Sequence, residues 1–247
     1  MHVETGNLVT SIHLMKTLMT PFRLTSAALC ALSILTFGGC ATGVPNMAID
    51  QGIRAQVHTV RISRVVAMPP KIEFFGQSQS VAALAAGPLA ALMDDKLSAE
   101  PKRRLTDEIA ENHIDVAAIL TSAFATRVAA DAGLKVVSQG EPADAQVDLV
   151  IDRYGFSIAH PGTATLFPVY GVSAIMKDAK GQIIWQGSDV MSAHFAGNKD
   201  GHTLEELDKD PELVRMALST GSELVAGMLV RNYKGEEAVQ NIPGIQK

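Results

Sequence analysis

The chain has 247 residues, of which 47% are apolar and 19% charged. That balance supplies a core for one or two domains and excludes general disorder. A net charge of −5 gives no general attraction for phosphate backbones, and 5% aromatic content leaves few stacking platforms, so nucleic acid is not an expected partner.

In chain order, a short basic stretch containing Lys16 and Arg23 precedes the apolar run Leu24–Gly39, "LTSAALCALSILTFGG". Sixteen residues are short for a bilayer span, which takes about 20. Basic region, apolar region and small residues in that order make a secretory signal. Residues 1–14 lie ahead of this pattern and include Glu4, so they are expected to be a misassigned extension, with Met15 the true start. The run closes on Phe37-Gly38-Gly39-Cys40, which resembles the lipobox of bacterial lipoproteins. Gly38 and Gly39 match its small positions; Phe37 stands where Leu is usual. The resemblance implies signal cleavage between Gly39 and Cys40, diacylation of the Cys40 sulfur with palmitate-type chains, and acylation of the new amine. An ordinary cleavable signal, or an uncleaved anchor, is the alternative reading of the same residues. Each buried methylene contributes about 0.8 kcal/mol, so two or three chains anchor a domain durably. Ala41, rather than Asp, follows the cysteine. By resemblance this implies the outer membrane, with the domain lipid-anchored on its periplasmic face.

Cys30 leaves with the signal, and Cys40 is consumed by lipid. No disulfide can form within the mature chain, and no thiol remains for catalysis or a metal. Loss of residues 1–39 removes Lys16, Arg23 and Glu4 and takes the net charge from −5 to −6. Residues 40–52 read as a lipidated tether, whose twelve residues after the cysteine reach at most about 40 Å.

The folded domain is expected over 53–234. Residues 55–68 favour a strand, ended by Pro69-Pro70, and 71–75 a second short one. Residues 80–97 read as helix, interrupted near Gly87-Pro88. Over 102–131, Leu105, Ile109, His113, Val116, Leu120, Phe124 and Val128 recur at helical steps on one face, with a break possible at Asn112 or Asp115 and Gly133 suited to the cap. Strands follow at 134–139, 145–158, 167–178 and 182–195, the last two flanking a hairpin loop at Asp178–Gly181. The last helix opens at Asp210-Pro211, buries Val214, Ala217, Leu218, Gly221, Val225 and Met228, and ends at Gly235; residues 235–247 read as a loose tail. The order predicts a single α/β (α+β) domain, a mixed and mostly antiparallel sheet with two or three helices packed on it.

Chemistry is sparse. The sequence holds no phosphate loop, dinucleotide fingerprint, nucleophile elbow, H-E-x-x-H or paired-cysteine pattern, so no catalytic residue, cofactor or metal ligand is expected. His113 reads as a core histidine on an apolar helix face. His194 and His202, eight apart across Gly197–Gly201, are a metal candidate, and the acids Glu205, Glu206, Asp208, Asp210 and Glu212 read as a solvated loop and helix start. Asp148 and Asp152 share a strand face, with Asp189 a candidate to lie opposite; an acid/base pair and an exposed sheet edge both fit. Two apolar stretches read as possible partner surfaces: residues 82–93, and the Pro/Gly-bounded stretch 160–171 carrying Leu166, Phe167 and Tyr170.

Val147–Ile151, the helix Ile119–Gly133 before it, and Asp178–Trp185 with Gly187 resemble a group of small periplasmic lipoprotein domains. The group includes the curli secretion lipoprotein, the TolB amino-terminal domain and the penicillin-binding-protein activators. The resemblance covers about 70 residues and implies a binding or assembly protein without catalysis, whose partners are the membrane, through Cys40, and other envelope proteins. The activators resemble rods on long wall-crossing linkers, from which the short tether departs. An oligomerising secretion or assembly subunit, and an envelope enzyme with an unrecognised site, are the alternatives.

Overall fold

The computed structural model describes residues 45–65, 67–75, 88–159 and 163–236. Its elements are α1 (Gln51–Arg54), β1 (Thr59–Ile62), β2 (Glu73–Phe75), α2 (Pro88–Glu111), α3 (Val116–Asp131), β3 (Lys135–Val137), β4 (Ala145–Ile158), β5 (Thr165–Asp178), β6 (Ile183–Met191), β7 (His202–Thr203), α4 (Leu204–Lys209) and α5 (Pro211–Lys234). The strands form one mixed sheet in the order β3-β1-β4-β5-β6, with β2 beside β4 and β7 beside β5. β1 runs parallel to β3 and β4, β2 runs parallel to β4, and β4, β5, β6 and β7 pair antiparallel. The predicted α/β domain with a mixed, mostly antiparallel sheet is the observed one; five helices pack on it rather than two or three.

β4 is the central strand, with the predicted bounds. Its alternation is sharper than the sequence suggests: Ala145, Val147, Leu149 and Ile151 are buried against the helices, while Gln146, Asp148, Val150 and Asp152 are half-buried on the opposite, polar face. The register shifts between Ile151 and Arg153, leaving Asp152 as the extra residue of a bulge. Arg153 then lies across Gly171, where a side chain would meet the Arg153 Cγ at 2.9 Å.

The predicted helix over 102–131 divides at Asn112–Asp115. Asn112 Nδ2 donates to the Glu108 carbonyl at 3.0 Å, and Asp115 caps α3 by accepting from the Ala118 N–H at 2.9 Å. His113 sits in this break at φ 51° and is exposed, not buried on the apolar stripe. The break turns its side chain away from the row that Leu105, Val116, Leu120, Phe124 and Val128 bury. α2 itself continues across Pro101, joining two helices that the sequence reads apart.

α5 packs on β5 and β6, and every residue of its predicted stripe is buried. Asp210 caps it, Pro211 opens it, and Gly235 closes it at φ 74°. Gly221 lets the sheet approach closely: a Cβ there would lie 2.8 Å from Tyr170 Cε2 and 3.1 Å from Met191 Cε. Trp185, fully buried on β6, meets Tyr233 of α5 edge-on at 5.6 Å, a geometry that contributes about 0.5–1.5 kcal/mol beyond area burial.

Candidate interaction site

The domain starts earlier than the sequence predicts. The Asn46 Oδ1 accepts from the Ser188 N–H at 2.7 Å, and Met47 exchanges two backbone hydrogen bonds with Gln186 at 2.9 and 3.1 Å. Asp50 caps α1 through the Gly52 and Ile53 amides, and Arg54 donates to the Lys234 carbonyl at 3.0 Å while lying over the Tyr233 ring. Residues 45–52, expected as tether, are therefore part of the fold. The edge of β6 supplies unpaired backbone groups, and a segment without a strand pattern of its own satisfies them. Four residues, 41–44, separate Cys40 from Pro45. Five steps of chain span at most about 18 Å, less than half the reach expected of the longer tether. Gly39 and Cys40 themselves lie outside the described residues, as do 237–247 of the expected tail.

Of the expected partner surface at 160–171, residues 160–162 lie outside the described residues, and the apolar side chains that carried it are corrected. Leu166 and Tyr170 are fully buried in β5, and Phe167 is half-buried beside Ala159, Val169 and Ala193. The Tyr170 hydroxyl donates to the Leu218 carbonyl at 3.1 Å, and burial pushes its pKa far up. Pro168 falls within the predicted strand 167–178 and within the observed one. It is tolerated in the strand because it falls between the β7 partners at 165–166 and the first β6 partner at Tyr170, where no amide is called for. The Asn198 Nδ2 pins the following loop to the Pro168 carbonyl at 2.8 Å. Of the other apolar stretch, residues 82–87 lie outside the described residues and 88–93 form the first turns of α2.

The polar face of the sheet carries a charged network centred on Asp148. It accepts from Ser63 Oγ at 2.7 Å, Gln146 Nε2 at 3.0 Å and Lys177 Nζ at 2.7 Å. Burial works to raise the Asp148 pKa, but the hydrogen bonds from Lys177, Gln146 and Ser63 outweigh it and hold the carboxyl below its ordinary range. Next to this network, the Ser173 Oγ donates to Asp152 at 2.7 Å and lies 3.3 Å from Ser188 Oγ; burial raises Asp152. Ser173 is only 1% exposed. Asp189 pairs in register with Val172, so it faces α5 and not these two acids. The three carboxylates suggested by the sequence are thus divided between the two sides of the sheet. Burial pushes Asp189 up to about 6, with the Arg231 charge partly offsetting it, and its Oδ2 is buried without a hydrogen bond among the described residues.

The histidine and acid clusters resolve into local structure. His202 Nε2 lies 2.8 Å from Asp200 Oδ1, and His194 is exposed. Among the described residues, no group of three or more His, Cys, Asp or Glu is placed to hold a metal. Glu206 closes a capping box with Thr203 on α4, a helix the sequence reading missed although its T-L-E-E signature was present. Glu205 pairs with Lys209 at 2.6 Å, Asp208 with Arg104, and Glu212 with Arg215 at 3.2 Å.

No family model matches the chain, and no curated protein matches it. Among solved structures, the chain is similar to a Xanthomonas campestris protein of the DUF330 family, at 9% identity and TM-score 0.39, covering 78% of this chain and 95% of that one. It is similar to uncharacterized lipoprotein B of Nitrosomonas europaea, at 13% identity and TM-score 0.30, covering 80% and 91%. It is also similar to a candidate lipoprotein of Caulobacter crescentus, at 14% identity and TM-score 0.30, covering 50% and 87%. Likeness at this level bears on neither partner nor activity.

Proposed function

We propose that this chain is an envelope lipoprotein, anchored through Cys40 to the periplasmic face of the outer membrane, that works there as a non-catalytic binding or assembly module. The observation that carries the reading is the short connection: an anchor-type sequence ends at Cys40, and Asn46 and Met47 are already fastened to β6. A leash of about 18 Å holds the β6 edge close to the lipid, which suits a partner at the membrane and not one across the cell wall. The polar face supports binding over catalysis. Lys177 and Ser63 both spend their hydrogen bonds on Asp148, and Ser173 has no exposure from which to attack a substrate.

The test has two parts. Mass spectrometry of the native product should find Cys40 as the first residue, carrying diacylglycerol; an unmodified thiol with residues 1–39 attached refutes the anchor. A photocrosslinker placed at the exposed Val190 or Ile183 of β6 should then give discrete envelope-protein adducts in intact cells. Those adducts should disappear when about 20 Gly/Ser residues are inserted between residues 44 and 45. Adducts that survive the insertion refute the role of the leash.

A further inference from the structure

Gly227 lies on the outer side of α5, where two guanidiniums converge. A Cβ at this glycine would stand 4.0 Å from Arg127 Nε, reaching over from α3, and 4.0 Å from Arg231 Nη1, one helical turn on. The bare backbone between them floors an open hollow of about 510 Å³, to which Lys234 adds a third cation and Phe195 and Leu224 an apolar wall.

Like charges near one another repel unless an anion lies among them; two carboxylates, Asp131 and Glu223, also line the hollow, but they reach Arg127 only loosely. Arg127 reaches Asp131 only at 3.6 Å and Glu223 at 3.8 Å, both too long for hydrogen bonds, and on a side chain 38% exposed. Arg231 forms no ion pair or side-chain hydrogen bond among the described residues; Asp189 beneath it feels its charge without pairing. Lys234 is shared with Glu236 at 2.6 Å. The guanidinium forks therefore keep most of their donors for a ligand. Planar forks of this kind suit the oxygens of a phosphate, and the Phe195–Leu224 wall suits the carbon part of an ester.

We propose that the hollow over Gly227, between Arg127 and Arg231, binds an organic phosphate ester. The site does not depend on acylation of Cys40, so its test stands apart from that of the anchor. The full chain in non-ionic detergent would be titrated by calorimetry, at low salt, with inorganic phosphate, glycerol 3-phosphate and monomeric short-chain phosphatidylglycerol. Binding in the millimolar range or tighter is expected, with both esters ahead of inorganic phosphate. Preference for the phosphodiester lipid identifies a headgroup as the source, and preference for glycerol 3-phosphate a soluble ester. The double variant Arg127→Gln/Arg231→Gln should weaken binding at least about tenfold. Gly227→Leu fills the floor from a half-buried position that has no atom closer than 4.0 Å to a Cβ, and a leucine favours the helix; it should weaken binding to a similar degree with the circular dichroism unchanged. Glu223→Gln removes a competing carboxylate and should tighten binding. No heat from any probe up to about 20 mM, or wild-type affinity in folded Gly227→Leu, overturns the proposal.

Discussion

Asp189 makes the stability of this domain depend on pH in a direction opposite to that of a salt-bridged acid. It is buried, at 7% exposure, and burial against α5 lifts its pKa from 3.8 to about 6, the Arg231 charge partly offsetting the rise. Between those values the native chain holds a proton that the unfolded chain has released. The stabilisation is complete below about pH 3.8 and is lost as the pH rises through 6. At about 1.4 kcal/mol per pH unit the whole window is worth about 3 kcal/mol, and the part between pH 4 and pH 8 roughly 2–3 kcal/mol. Asp189→Asn keeps the shape and deletes the titration. Urea unfolding of both chains from pH 4 to pH 8 gives two curves whose difference isolates this group, because every other titration is common to both. The wild type should lose roughly 2–3 kcal/mol relative to the variant across that range. Arg231→Gln removes the opposing cation and should move the loss to higher pH. Parallel curves for wild type and Asp189→Asn would refute the burial argument.

Other substitutions probe the fold. Gly155→Ala places a Cβ 1.8 Å from the Glu73 carbonyl oxygen at φ 154°, so β2 cannot dock; a loss of more than about 3 kcal/mol is expected in thermal unfolding. Tyr170→Phe deletes the buried hydrogen bond to the Leu218 carbonyl and should lower the urea midpoint by the equivalent of about 1 kcal/mol, without changing the slope. Thr203→Ala opens the capping box of α4 and should cost about 1 kcal/mol, seen as faster amide exchange at Glu206.

Much of the architecture was legible in the chain. The β4 bounds, the Asp178–Gly181 hairpin, and α5 with its cap, its proline, its stripe and its closing glycine are all local patterns, and each was read correctly. The break between α2 and α3 was legible in part, since Asn112 and Asp115 marked it; that it would expose His113 was not, because a helical wheel assumes a continuous helix. The capping box of α4 was present and overlooked among its acids. Leu166, Phe167 and Tyr170 fitted a partner surface and a strand packed in the core equally well, because apolar residues near Pro161, Gly162 and Gly171 carry no local mark of which side the helices will cover.

Residues alone set the periods, the caps and the anchor-type segment ending at Cys40, because those depend on neighbours within a few positions. Folding set the partners. Asn46 and Met47 carry no strand pattern and pair only because β6 leaves an edge beside them, which shortens the stretch of chain between Cys40 and the fold. Asp148 and Asp189 parted across the sheet because register assigns each its face. Arg127 and Arg231, 104 positions apart, meet over a glycine because α3 and α5 lie side by side. Contacts between distant segments depend on how the elements stack, and no short window of sequence encodes that.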